Sequence, residues 1–149
     1  MIRGKYLTSA DDISQVLAVR YAVFVEEQGY SAELERDRFD DVSVYALAMD
    51  EDGKPVATGR LFVGEDNKFT IGRVCTLKAY RGQGYADLVL RMLLRRAKEL
   101  NAPDVSISSQ IPAMGFYARF GFEPTGEVTW DEGVEHRGLF VRMENARFE

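Results

Sequence analysis

The sequence predicts a mixed α/β fold, with a mostly antiparallel central sheet of about six to seven strands flanked by about four helices. Three observations carry this prediction. Strand-like runs at 42–49, 56–63 and 68–77 follow one another across short turns, as in an antiparallel meander. Residues 84–100 place Ala86, Leu90, Leu93, Ala97 and Leu100 at alternating spacings of four and three, the stripe of an amphipathic helix. Two last runs, 127–130 and 137–143, flank Asp131-Glu132-Gly133 and read as a closing hairpin.

Each element has its own local signal. Residues 3–8 (RGKYLT) read as a first strand. Ser9 offers an N-cap oxygen, with Asp12 three residues on, to a helix whose apolar positions are Ile13, Val16, Leu17 and Phe24. That helix stops near Gly29. There the segment EEQGYSAELERDRFDD replaces apolar periodicity with dense mixed charge and reads as a functional or lid-like loop. The meander turns at 50–55 (Asp-Glu-Asp-Gly-Lys-Pro) and again at 64–67. In the 84–100 helix, Asp87 and Arg91 are spaced i,i+4 away from the stripe, and Arg95, Arg96 and Lys98 suit the dipole at its end. A short strand at 105–108 precedes a short helix at 112–120, opened by Pro112 and followed by Gly121. The order is β-α-loop-β-β-β-α-β-α-β-β, within one domain spanning 1–149.

Composition narrows the function. The 149 residues include 19 Lys+Arg and 24 Asp+Glu, a net charge of −5, which argues against a general nucleic-acid binder. With 46% apolar residues the chain supplies one core and is short for two domains. Cys75 is the single cysteine and His136 the single histidine, so no disulfide and no His/Cys metal cluster is expected. No run approaches the roughly eighteen apolar residues of a membrane span, and the N-terminus lacks the apolar core of a signal peptide. A soluble, cytoplasmic chain without membrane contact is expected.

The most informative segment runs from Val74 to Asp87, where a strand enters a loop with Gly82 and Gly84 and then directly the amphipathic helix. A helix's first turn presents unpaired N–H groups and partial positive charge, and glycines before it let an anion approach the backbone. Arg81 adds a bidentate donor suited to phosphate. Two readings follow: a phosphate or pyrophosphate site, or a structural turn that needs glycine for positive φ. A dinucleotide fingerprint would require glycine where the chain has Asp87, and no P-loop Gly-Lys-Ser/Thr is present.

Arg81-Gly82-Gln83-Gly84-Tyr85-Ala86 resembles the R/Q-x-x-G-x-G/A signature of the GNAT (Gcn5-related N-acetyltransferase) superfamily. The later Ala113-Met114-Gly115-Phe116-Tyr117-Ala118-Arg119-Phe120-Gly121-Phe122 resembles that family's second signature, and the resemblance extends over nearly the whole chain. It implies the GNAT fold, with acetyl-CoA as acyl donor and no metal. It also implies that the backbone of 81–86 (Arg81, Gly82, Gln83, Gly84, Tyr85, Ala86) holds the pyrophosphate, and that Val74 and Thr76 align the pantetheine arm. Tyr117 matches the family tyrosine near the sulfur. A phenol of reference pKa about 10 is a plausible donor to a thiolate of reference pKa about 8.5; the alternative is a core aromatic. Cys75 reads as a small buried hydrophobe rather than an acyl-enzyme nucleophile. Strict alternation would place it on one face with Ile71 and Arg73, leaving Gly72, Val74 and Thr76 on the other.

The segment from Arg20 to Tyr30, with Glu35, Asp37 and Asp40, resembles the ElaA-like branch of the superfamily, as do Ile71-Gly72-Arg73-Val74 and Asp131…Gly133…His136. Arg137-Gly138-Leu139-Phe140 departs from the ending of that branch. Arg20, Phe24, Tyr30, Asp37, Asp40 and Arg60 also resemble the pattern of acyl-homoserine lactone synthases, which use an acyl-carrier protein and S-adenosylmethionine. For this chain the intact glycine loop and the short length favour acetyl-CoA. The expected acceptor is a primary amine of a small molecule or peptide, touched by Arg20, Phe24, Gln28, Tyr30, Asp40, Arg60 and His136. Two readings stand for the charged residues. Arg20, Arg60 and Arg73 fasten the 25–41 loop through Glu27, Asp37 and Asp40, or a carboxylate such as Glu27 takes the amine's proton. His136 is either structural or a second such base. A non-catalytic CoA sensor shares the glycine loop, and the terminal hairpin offers an edge for a homodimer.

Overall fold

The computed structural model of the chain describes residues 2–64 and 66–149. Its strands are β1 (Arg3–Thr8), β2 (Val44–Met49), β3 (Pro55–Val63), β4 (Phe69–Thr76), β5 (Asp104–Gln110), β6 (Glu123–Asp131) and β7 (Val134–Arg142). Among the described residues these form one seven-stranded sheet in the order β1-β2-β3-β4-β5-β7-β6. Every pairing is antiparallel except β4 with β5. The mixed α/β class and the strand order along the chain agree with the sequence reading. The turn expected at 64–67 includes Glu65, which lies outside the described residues.

Helix α3 (Tyr85–Glu99) covers one face of β2, β3 and β4. Its stripe of Val89, Leu90, Leu93, Leu94 and Ala97 is fully buried against Ala46, Ala48, Leu61 and Ile71. Burying each of its large aliphatic side chains contributes about 1.5–3 kcal/mol. Gly59 makes this close approach feasible, because a Cβ there would stand 2.9 Å from Val89 and 3.0 Å from Leu93.

Helix α1 (Ser14–Arg20) packs on the opposite face, where Val16, Val19 and Val23 meet Tyr45, Leu47 and Cys75. Ser9 does not cap it. Its hydroxyl donates to the Asp41 carbonyl at 2.8 Å, and Asp12 instead accepts from the Ser14 N–H at 2.9 Å, so the helix begins five residues after Ser9. The chain then widens into a π-helical segment, Tyr21–Glu27, in which the Gln28 N–H reaches back to the Val23 carbonyl at 3.0 Å. Wide turns of this kind concentrate at functional sites, and here one turns Val23 and Phe24 toward the centre of the molecule.

The charged 29–41 segment folds as a short helix α2 (Ala32–Glu35) followed by a 3₁₀ turn, Arg38–Asp41. A buried ion network fastens it. Arg20, fully buried, donates to Glu35 at 2.9 Å and to Asp40 at 2.6 Å, and Arg60 donates to Asp37 at 2.7 and 2.8 Å. Burial alone would raise the Asp40 carboxyl, but its bonds to Arg20 hold it well below the usual carboxylate range. Arg20, Arg60 and Arg73 thus hold the loop through Glu35, Asp37 and Asp40, whereas Glu27, expected among these partners, pairs with Arg81 instead.

Candidate active site

A parallel pair that does not stay paired opens the site. The register of β4 with β5 is confined to Thr70↔Ser106 and Ile71↔Ile107, after which β5 continues beside β7 alone. A bulge in β4 drives the separation. Between Thr58↔Cys75 and Arg60↔Gly72, two steps on β3 are met by three on β4. The extra residue is accommodated at Arg73, whose φ of 52° lies in the left-handed region that side chains rarely adopt. Arg73 is held there by bonds of 3.0 and 3.2 Å to the Glu35 carbonyl and an ion pair of 3.2 Å to the Glu35 carboxylate. The expected alternation therefore fails at this point. Ile71 lies in the core under α3, whereas Cys75 lies in the core under α1.

The fork leads into a cavity of about 300 Å³. One wall is the bulged strand, Arg73 to Thr76, and another is the π segment with Val23, Phe24 and Gln28. Helix α4 (Met114–Ala118) supplies Phe116 and Tyr117, while Tyr30, Leu34 and Glu35 roof the space opposite Asp131, Glu132 and His136 of the terminal hairpin. Roof and hairpin are joined: Glu132 accepts from the Ser31 N–H at 2.9 Å, and Gln110 at the end of β5 donates to Gln28 at 2.9 Å. Arg81 and Ala86 mark the end nearest the glycine loop.

At that loop Gly82 has φ 77° and Gly84 φ 91°, conformations that favour glycine, and nothing stands within 4 Å of where a Gly82 Cβ would be. Gly84 caps α3, a 15-residue helix, so that helix's unpaired first-turn amides open beside this space. Gln83 is exposed alongside. The Tyr85 side chain is not part of the loop's surface; it is buried edge-to-face against Tyr80, leaving only its backbone to the helix start.

Tyr117 is 7% exposed, lines the cavity, and its hydroxyl has no hydrogen-bond partner among the described residues. Burial pushes this phenol up from its ordinary value, and the neighbouring Cys75 adds to the shift. The Cys75 thiol is likewise pushed up by burial, to about 12, so it stands as a thiol rather than a thiolate. His136 Nδ1 lies 3.0 Å from the Val134 carbonyl, and because a carbonyl only accepts, Nδ1 is the donor of that bond and Nε2 is left free of it.

Several expected site residues are placed differently. Arg20, Asp40 and Arg60 do not line the cavity, because their polar groups are turned into the buried network. Glu27 does not line it either. It forms a two-pronged pair with Arg81 at 2.6 and 2.7 Å, and that pairing holds its carboxyl below the usual range, which disfavours it as a proton acceptor. Arg81 is correspondingly engaged with Glu27 and the Thr76 carbonyl rather than presented to an incoming anion. The structure does bring Phe24, Gln28, Tyr30, Val74, Thr76, Ala86, Tyr117 and His136 to one cavity. Asp131 and Glu132, expected at the hairpin turn and not among the site residues, join them there.

Residues 9–144 match the family described as the acetyltransferase (GNAT) domain. A protein of Bacillus subtilis (strain 168), provisionally named an acetyltransferase, is 34% identical over 89% of this chain and 90% of its own length. ElaA of Escherichia coli is 28% identical in structure-based comparison, with a TM-score of 0.80 over 94% of this chain and 99% of its own. The CoA-dependent acyl-homoserine lactone synthase BjaI shares the fold alone, at 15% identity and a TM-score of 0.77 over 96% of this chain and 84% of its own.

Proposed function

The chain belongs to the GNAT acetyltransferase family, and on that premise we propose that it transfers the acetyl group of acetyl-CoA directly to a primary amine bound in the same cavity. The observation that carries this reading is the forked β4 edge opening into a cavity that also holds the unpartnered Tyr117 hydroxyl. Acetyl-CoA would lay its diphosphate on the backbone amides of 82–86 and its pantetheine arm along Val74 and Thr76. The neutral amine then attacks the thioester carbon, the new C–N bond forms, and the C–S bond breaks. Backbone N–H groups on the open β4 edge are suited to the oxyanion. Because burial raises its pKa, the Tyr117 phenol stays protonated at neutral pH and stabilises the departing thiolate by donating a hydrogen bond. His136 lines the cavity with Nε2 free of the Val134 contact and is the better-placed proton acceptor, since Glu27 is paired with Arg81 outside the cavity.

The test is a calorimetric titration with acetyl-CoA followed by an amine panel read as free thiol. Binding with turnover supports the transferase. Binding without turnover on any amine identifies a CoA-sensing module, and consumption of S-adenosylmethionine with an acyl donor identifies a lactone-synthase chemistry.

A further inference from the structure

The cavity's charges do not cancel, and the surplus lies at one end. Arg73 is matched by Glu35 and Asp37, at 3.2 and 3.4 Å, and Arg81 is matched by Glu27. Glu35 is additionally paired with Arg20. The Asp131 side chain has no hydrogen bond or ion pair among the described residues, and Glu132 uses one oxygen on the Ser31 N–H and leaves the other without a partner. Both sit at the hairpin tip, where Glu132 (φ 48°) and Gly133 (φ 83°) form a tight left-handed turn that fixes them on the cavity wall. Two negative charges therefore line a space that also contains Tyr117, a side chain nine-tenths buried whose accessible hydroxyl has no partner among the described residues, a second sign that a ligand completes this site. Tyr30, between roof and hairpin, feels the same surplus: burial raises its phenol, and Asp131 raises it further.

We propose that Asp131 and Glu132 form an ammonium subsite, so that the acceptor is a diamine or an amine bearing a second cationic nitrogen at its far end. This rests on the transferase reading above and names the substrate class for the same cavity. One ammonium gives a proton to His136 Nε2, its nitrogen forms the C–N bond to the acetyl carbon, the C–S bond breaks, and a second proton on that nitrogen passes to the departing thiolate. The distal ammonium stays charged throughout and is held at the hairpin tip. An acceptor with a carboxylate at that end would be repelled, and one with a methyl would forgo the attraction.

The probes are 1,4-diaminobutane and butylamine, which differ only in that distal charge. With acetyl-CoA and thiol release as readout, the diamine is expected to show kcat/KM about five- to tenfold higher, a preference that shrinks at high salt. Asp131→Asn, chosen because the Asp131 side chain makes no hydrogen bond or ion pair among the described residues, should bring the two amines to within about twofold, mainly through KM for the diamine. Equal use of both amines by the unaltered protein, or an undiminished preference in Asp131→Asn, overturns the subsite. Calorimetry of each amine on CoA-saturated protein separates the two proposals. If neither these two nor any amine of the wider panel is acetylated but the diamine binds more tightly and Asp131→Asn removes the difference, the subsite stands and the transferase reading falls. If neither turnover nor binding distinguishes the amines, the subsite is overturned.

Discussion

Ile71 and Cys75 lie four residues apart on one strand yet belong to opposite cores, because the bulge at Arg73 inserts one residue between them. The same inserted residue separates β4 from β5. Arg73 is therefore the hinge on which the cavity opens, and it is fastened to the loop that roofs the cavity.

Tyr117→Phe removes only the hydroxyl from a buried ring packed against Phe116 and Phe122. Turnover should fall by about a hundredfold with acetyl-CoA affinity unchanged within twofold. Steady-state kinetics and calorimetry on the same preparation check this, and wild-type turnover would remove Tyr117 from the reaction.

Gly84→Glu places a charged side chain at a position of φ 91° immediately before the first turn of α3. The variant should lose acetyl-CoA binding while a melting curve shows the protein still folded, at a cost of about 1–2 kcal/mol for the left-handed backbone. Retained acetyl-CoA affinity would make the loop a structural turn.

Asp40→Asn breaks the buried network at its most desolvated carboxylate. Losing one partner of such a pair costs about 3–5 kcal/mol, to be read by urea unfolding. The Asp40 carboxyl is held below its ordinary range in the folded state, so its stabilisation is present in full above an unfolded pKa of about 3.9 and is lost as pH falls toward the folded value. Acid unfolding of the unaltered protein should thus be steeper below about pH 4 than that of Asp40→Asn.

Cys75, with its thiol pushed up to about 12 by burial, should resist alkylation. At pH 8 its thiolate fraction is on the order of a thousandfold below that of a free cysteine. Iodoacetamide should therefore label the urea-unfolded chain and leave the native one nearly unmodified, as followed by mass spectrometry. Rapid native labelling would reopen an acyl-cysteine mechanism.

Much of this was legible locally. The strand order, the α3 stripe and the two glycines of the loop follow from hydrophobic period and turn chemistry, which act over a few residues, whereas the exposed β6 runs over Glu123–Asp131 rather than the expected 127–130. Arg20 was legible too, in retrospect, because it occupies an otherwise apolar stripe with Val16, Val19 and Val23. An arginine in such a stripe must meet carboxylates from elsewhere, and Glu35 and Asp40 supply them. The bulge at Arg73 was not legible, since no glycine marks its positive φ and only contacts from the 35–37 loop stabilise it. The π segment likewise carries no change in residue pattern. Asp131 and Glu132 were not legible as cavity residues, because their place on its wall depends on β7 lying beside β5, a pairing between distant parts of the chain.

The two register pairs that join β4 to β5 have a mechanical consequence. The leaf of β5, β7 and β6 is joined to the leaf of β1 to β4 through a seam only two residues long, reinforced by the clasp between Glu132 and Ser31. Beyond those two pairs the leaves are held, among the described residues, by side chains alone, through the core they share under α3 and the Gln110–Gln28 bond. A linear ligand lying in the fork would act as a splint, and the amides of β4 beyond Ile71 are where its arrival should first slow hydrogen exchange.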